Sequence, residues 1–203
     1  PDERVFCNGG YQLGNRRFHC WSRGGHGHMA LIESISQSCD VYYYEIAKRV
    51  GIEEIAKMSR RLGLGVDFEL PNPALKSGLI PTKDWKRRVK DQSWQVGDTL
   101  NSGIGQGFVL ATPLQLAVMT ARLATGKAVE PRLVRARAGQ LLPPPDPPDL
   151  GISRRNLDLV REGMIETVNG RRGTARRSRI ADEENAMAGK TGTSQVRNIT
   201  VAE

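Results

Sequence analysis

The chain lacks the features that mark several large protein classes. No apolar run approaches the roughly 20 residues that a membrane-spanning helix needs, and no apolar signal stretch follows Pro1. Aromatic residues make up only 5% of the sequence, and there is no internal repeat. Cysteine is scarce: Cys7, Cys20 and Cys39 leave an odd thiol over whatever single disulfide forms. The hydrophobic fraction, 38%, is low but still that of a globular protein. At 203 residues one domain with a core of ordinary size is expected.

What the chain has in excess is positive charge. The net charge is +8, much of it in pairs such as Arg16-Arg17, Arg87-Arg88, Arg154-Arg155, Arg171-Arg172 and Arg176-Arg177. One meaning is a surface for nucleic acid or another polyanion; the other is a solvated basic surface. The second is favoured, because no aromatic-rich binding strand accompanies the charge.

Glycine and proline divide the chain. Residues 1–28 predict a hairpin turning at Leu13-Gly14-Asn15, with little core of its own. Helical patterns then cover 29–35, 41–50 and 52–62, the last two closed by Gly51 and Gly63. The tyrosine run 42–44 reads as packing. Residues 63–108 form a long stretch punctuated by Gly and Pro, of a length that usually lines a site. Thr112 and Pro113 predict the start of a helix that Gly126 ends. A strand-like 132–135 follows, then a proline-rich extended connector over 142–148, then a helix from the cap Ser153 through Val168.

Two places carry chemistry. Gly189-Lys190-Thr191-Gly192-Thr193 lies in a segment whose flanks predict a strand. Lys190 supplies a cation, Thr191 and Thr193 supply hydroxyls, and Gly192 leaves room for a substrate backbone, so the segment suits an anionic ligand. Ser38-Cys39-Asp40 sets a hydroxyl and a carboxylate two residues apart at a helix start, an arrangement that a simple helix cap also satisfies. Lys76-Ser77-Gly78 repeats the Lys-[Ser/Thr]-Gly pattern in a proline-rich loop without strand-forming flanks and is rejected as a site.

These elements stand in one order with Gly24-Gly25-His26-Gly27, Gly78-Leu79-Ile80-Pro81, Gly97-Asp98-Thr99, Gly103-Ile104-Gly105-Gln106-Gly107, Thr112-Pro113-Leu114-Gln115 and Gly173-Thr174-Ala175. The ordered set resembles the transpeptidase domain of class B penicillin-binding proteins of the elongation type, the penicillin-binding protein 2 group, over essentially the whole chain. The resemblance implies an α/β (α+β) fold like that of serine β-lactamases, an antiparallel sheet flanked by helices. It implies acyl transfer from a D-Ala-D-Ala stem peptide, through a serine acyl-enzyme, to the amine of a second stem. Ser-x-x-Lys, the element carrying that serine, is absent, so the chain reads as a piece of a longer and incomplete domain.

By the same resemblance Ser38 relays a proton, Asp40 orients the donor, and Lys190 biases the site toward the donor carboxylate. Thr191, Gly192 and Thr193 bind that carboxylate, and the Thr193 N–H forms half of an oxyanion hole. Implied partners are peptidoglycan stem peptides, β-lactams, a membrane glycosyltransferase and other elongation-complex proteins, with no nucleic acid. The implied location is the periplasmic face of the inner membrane. Enzyme alternatives are a serine β-lactamase or a D,D-carboxypeptidase; the alternative from another class is a basic, zinc-stapled binding module.

Cys7, Cys20, His26 and Cys39 form a second constellation. Three thiols and an imidazole suit tetrahedral zinc, though their spacing is not that of a zinc finger. A metal there would fasten residues 1–28, and with extended backbone the Cys39 side chain would point away from Ser38 and Asp40. The resemblance implies a metal site in this place, with carboxylates at some positions in relatives. The alternative is a Cys7–Cys20 disulfide with Cys39 free. His19 and His28 are nearby substitutes for His26.

Overall fold

The computed structural model describes residues 3–70 and 76–194. These form two compact units, the first built from 1–49, 95–107 and 158–203, the second from 50–94 and 108–157. Among the described residues no helix is long and apolar enough to cross a membrane.

The first unit opens with four short strands: β1 (Val5–Cys7), β2 (Gly10–Leu13), β3 (Arg16–His19) and β4 (Gly27–Met29). β2 and β3 pair as the expected hairpin, Tyr11 opposite Phe18, and β1 pairs antiparallel with β4, Cys7 opposite Gly27. Met29, read from the sequence as helical, belongs to β4, because a ladder with β1 fixes it before the helix begins. The segment also has more core than its composition suggests. Cys7, Phe18 and Cys20 are buried together with Met29, Cys39, Val41, Tyr42, Tyr44 and Leu100.

Helices α1 (Leu31–Ser36) and α2 (Asp40–Val50) follow, and α5 (Val96–Gly103) returns to the same unit. The hairpin docks on α2 through its tyrosines: Tyr44 packs edge-on against Phe18 and donates to the His19 carbonyl, while Tyr11 donates to Glu45. α5 crosses α2 at Gly103, where an added Cβ would fall 2.4 Å from the Ala47 Cβ. The glycine is a packing requirement there, since any side chain would force the helices apart.

The second unit holds α3 (Ile52–Arg61), α4 (Lys83–Lys90), α6 (Pro113–Thr125) and a small hairpin of β5 (Ala136–Arg137) with β6 (Gln140–Leu141). α6 starts as its sequence predicts, with Thr112 accepting from the Gln115 N–H, Gln115 accepting in return, and Gly126 closing it in the left-handed region. The Gln115 side chain, almost wholly buried, also donates to the carbonyls of Val66 and Ser77, which gives the Lys76-Ser77-Gly78 turn a structural use. α7 (Arg154–Asn169), which from Asp158 on belongs to the first unit, is capped by Ser153, whose Oγ accepts from the Asn156 N–H.

Two expectations need correction. Residues 63–108 contain α4 and α5, hidden from a periodicity reading because both are eight residues long and one carries two glycines. The strand predicted at 132–135 is displaced to the β5–β6 hairpin, where Ala138 and Gly139 both take positive φ and set the turn. The fold class holds: helices accompany an antiparallel sheet that is incomplete, as expected, and is present among the described residues as three two-stranded ladders.

The Gly103–Ala47 crossing yields a double-mutant test. Gly103→Ala gains helix propensity of about 0.5–1 kcal/mol but overpacks the crossing at about 1–3 kcal/mol, so it should lower thermal stability. Adding Ala47→Gly moves the space rather than the helices and should recover much of the loss. Purely additive melting shifts would show that the two positions do not touch.

Candidate active site

The site begins at the end of α1. There the Cys39 N–H donates to the Ser34 carbonyl at 3.0 Å and the Ser38 N–H to the Ile35 carbonyl at 3.3 Å. This is the six-to-one, five-to-two closure that ends many helices, and its left-handed position usually holds glycine. Here that position holds Ser38, with φ 56°. A left-handed non-glycine residue costs about 1–2 kcal/mol, a strain of the kind that gathers at functional sites. Chain reversal at Ser38 turns its hydroxyl into a cavity, sends Cys39 into the core at 0% exposure and lets Asp40 begin α2. The extended backbone assumed from sequence is therefore replaced by a helix closure, with the same separation of side chains.

The second half of the site is carried on α7. The Gly189 N–H donates to the Met164 carbonyl and the Asn169 side chain to the Met187 carbonyl, so residues 187–189 lie along that helix. No ladder forms over 186–194, which corrects the expected strand; Gln195 and Val196 fall outside the described residues. With no strand beside it among the described residues, the segment is held by helix and side-chain contacts. Thr174 ties it to α1: its N–H and Oγ1 both reach the Ser36 carbonyl, and Oγ1 lies 2.8 Å from the Thr191 Oγ1.

The two halves meet. Lys190 Nζ donates a hydrogen bond to Ser38 Oγ, across 152 positions of sequence, and also reaches the Thr191 carbonyl at 3.1 Å. Ser38, Asp40, Lys190, Thr191, Gly192 and Thr193 all line one cavity of about 830 Å³. Among the described residues nothing lies within 4 Å of where a Gly192 Cβ would stand, leaving that wall open to a ligand. Although Lys190 as a residue is exposed, protein around its ammonium lowers its pKa, with the Asp40 charge opposing. Burial raises the pKa of Asp40, opposed by the Trp21 N–H that donates to its Oδ2 at 2.9 Å. Each shift weakens the charged form, as suits groups that handle protons.

Other residues complete the wall: the turn at Gly103, Ile104 and Gln106 falls in the 63–108 stretch expected to line a site, Tyr43 was read as packing, and Trp21 and Thr174 had no role assigned from sequence. Tyr43 lies beneath the cavity, its hydroxyl pushed up to about 12 by burial and accepting from Ser34. A lone tryptophan in a Gly- and Arg-rich segment was the available signal for Trp21.

Behind Ser38 stands the thiol cluster. Cys7, Cys20, His26 and Cys39 place their ligand atoms within 4.8 Å of one another. The backbone builds this: the His26 N–H donates to the Cys7 carbonyl and the Cys20 N–H to the Gly9 carbonyl. Gly25 passes so close that a Cβ would meet the Cys7 oxygen at 2.2 Å. Zinc bonds of about 2.3 Å to sulfur and 2.0–2.1 Å to nitrogen make a tetrahedral S···N edge of about 3.6 Å. His26 Nδ1 lies 3.5 Å from Cys20 Sγ and 3.6 Å from Cys7 Sγ, so the donors fit. All three thiols are unpaired. The hydrogen bond between Cys20 and Cys39 holds the Cys20 thiol below its ordinary value and, with burial, pushes Cys39 up. His19 and His28 are exposed outside the cluster, His28 lying against the Phe6 ring.

Comparison with known proteins shows what the chain is similar to. Residues 1–201 match the family model described as the penicillin binding protein transpeptidase domain. The peptidoglycan D,D-transpeptidase MrdA of Haemophilus influenzae is 35% identical over 204 residues, covering 97% of this chain and 31% of that protein. A Pseudomonas aeruginosa PBP2 structure, in complex with WCK 5153, superimposes with TM-score 0.79 at 41% identity, over 87% of this chain and 40% of the other. Helicobacter pylori PBP2 in complex with MreC gives TM-score 0.85 at 35% identity, over 96% and 36%. The chain thus spans between 31% and 40% of these three relatives.

The strained position of Ser38 has a measurable consequence. Ser38→Gly should raise thermal stability by about 1 kcal/mol, because glycine accepts the left-handed closure without penalty, whereas Ser38→Ala should not. Equal or lower stability of the glycine variant would contradict the strain.

Proposed function

The chain belongs to the penicillin-binding protein transpeptidase domain family, and on that premise we propose that it forms part of a peptidoglycan D,D-transpeptidase of the elongation type. The observation that carries the reading is the contact of Lys190 with Ser38 on the wall of an open cavity. In this reading a serine outside these 203 residues attacks the D-Ala-D-Ala amide, displaces D-Ala and passes the acyl group to the amine of a second stem. β-Lactams act as donor mimics.

Each residue has a task that its chemistry suits. Ser38 both accepts and donates, so it carries a proton between the reacting amine and Lys190. Lys190, its charged form weakened by its surroundings, takes part in that traffic and attracts the donor carboxylate. Thr191 and Thr193 offer hydroxyls to the same carboxylate, with Gly192 leaving space beside them. The Thr193 N–H lies in the segment that faces the developing oxyanion. Asp40 holds the donor and, through Trp21, the start of α2.

The thiol cluster is proposed to hold one structural zinc through Cys7, Cys20, Cys39 and Nδ1 of His26, which the S···N distances support. Bound zinc supplies cross-linking rather than chemistry on substrate: it ties the strands before α1 to the residue beside Ser38. The proposed setting is the periplasmic face of the inner membrane, with a glycosyltransferase and an MreC-like scaffold as partners, as the complex of the Helicobacter pylori relative suggests.

Two experiments test these assignments. In the complete enzyme, Ser38→Ala and Lys190→Ala should each slow acylation by a fluorescent penicillin about a hundredfold or more with little loss of fold; unchanged rates in both variants would sink the proton-handling roles of Ser38 and Lys190. Elemental analysis should find about one zinc per chain. His26→Ala should lose it, while His19→Ala and His28→Ala keep it. Absence of metal together with a Cys7–Cys20 disulfide in the mass spectrum would decide against the zinc.

A further inference from the structure

Trp21 is exposed at the rim of the cavity, yet it makes three hydrogen bonds that converge on the catalytic turn. Its indole Nε1–H points at two carbonyls at once, that of Gln37 at 3.0 Å and that of Ser38 at 2.9 Å. Its backbone N–H donates to Asp40 Oδ2 at 2.9 Å. Its ring meets His26 edge-on, with centroids 5.3 Å apart, and its chain neighbour is Cys20. One residue therefore touches both sides of Cys39 and the thiol cluster as well.

The left-handed closure explains why such a strap is needed. Helix ends leave carbonyls without partners, and Gln37 and Ser38 expose theirs where the chain reverses. A shared indole N–H satisfies both from the cavity side while the buried Cys39 anchors the turn from behind. The strap opposes relaxation of Ser38 out of its strained conformation, which would turn the hydroxyl away from Lys190. The bond to Asp40 fixes the first residue of α2 through the backbone of the same tryptophan.

We propose that Trp21 is a positioning residue that holds Ser38 and Asp40 in their working geometry through its indole and backbone N–H groups. The inference rests on the acyl-transfer reading above. Trp21→Phe keeps an aromatic ring against His26 and removes only the indole donor, so the fold and the metal content should persist.

The test separates binding from chemistry in the complete enzyme. With a fluorescent penicillin as the acylating probe, Trp21→Phe should lower the limiting acylation rate about tenfold, the loss expected for a shared hydrogen bond, and leave the half-saturating concentration unchanged. An unchanged limiting rate would overturn the proposal. So would a rise in the half-saturating concentration alone, which would make Trp21 a substrate contact, or loss of metal in the variant, which would make its effect structural. Proton exchange of the Trp21 indole N–H, read by NMR on the wild-type enzyme, should be slowed; exchange as fast as in a free indole would overturn the strap by itself. Should the wild type fail to acylate, the acyl-transfer reading falls, while the exchange measurement still decides whether the strap exists.

Discussion

Everything at the site depends on one helix ending with the wrong residue. The closure after α1 calls for a left-handed backbone, and serine occupies it at φ 56°. Glycine would form the same turn with less strain but carries no hydroxyl. The turn also sorts its neighbours: Ser38 and Asp40 reach the cavity while Cys39 is buried. A functional hydroxyl, a core thiol and the first residue of a helix are set by one backbone reversal, so a disturbance of that reversal reaches all three.

Such a turn persists only if its surroundings over-determine it. From below, Thr167 and Thr174 on α7 and the loop after it donate to the carbonyls of Ile35 and Ser36. From behind, Cys39 joins the thiol cluster. From the cavity side, Trp21 covers the carbonyls of Gln37 and Ser38. The contact of Lys190 with Ser38 is itself open to solvent and contributes little to stability. It is placed by these supports rather than being one of them, which suits a contact that would break and re-form in the proposed proton transfer.

The sequence made local chemistry legible and left tertiary supports obscure. Thr112 and Pro113 announced α6, Gly126 its end and Leu13-Gly14-Asn15 the hairpin, because caps and tight turns are decided by residues next to one another. The pairing of Ser38 with Lys190 was reached through an ordered set of motifs, since no local rule links positions 152 apart. The strand at Lys190 was misjudged because a strand exists only through its ladder, and propensity cannot say whether a neighbour is present. α4 and α5 were missed for their shortness. Trp21 was missed because the partners of its indole N–H are backbone carbonyls, which every sequence has.

The central claim is that Ser38 and Lys190 act as one unit on one proton path. The most direct measurement is a double-mutant cycle on acylation rate in the complete enzyme, with Ser38→Ala, Lys190→Ala and both together. Groups that form a single path are lost by either substitution, so the double variant should be about as slow as the slower single one. A double variant slowed by the product of the two single effects would show two independent contributions and would contradict the account.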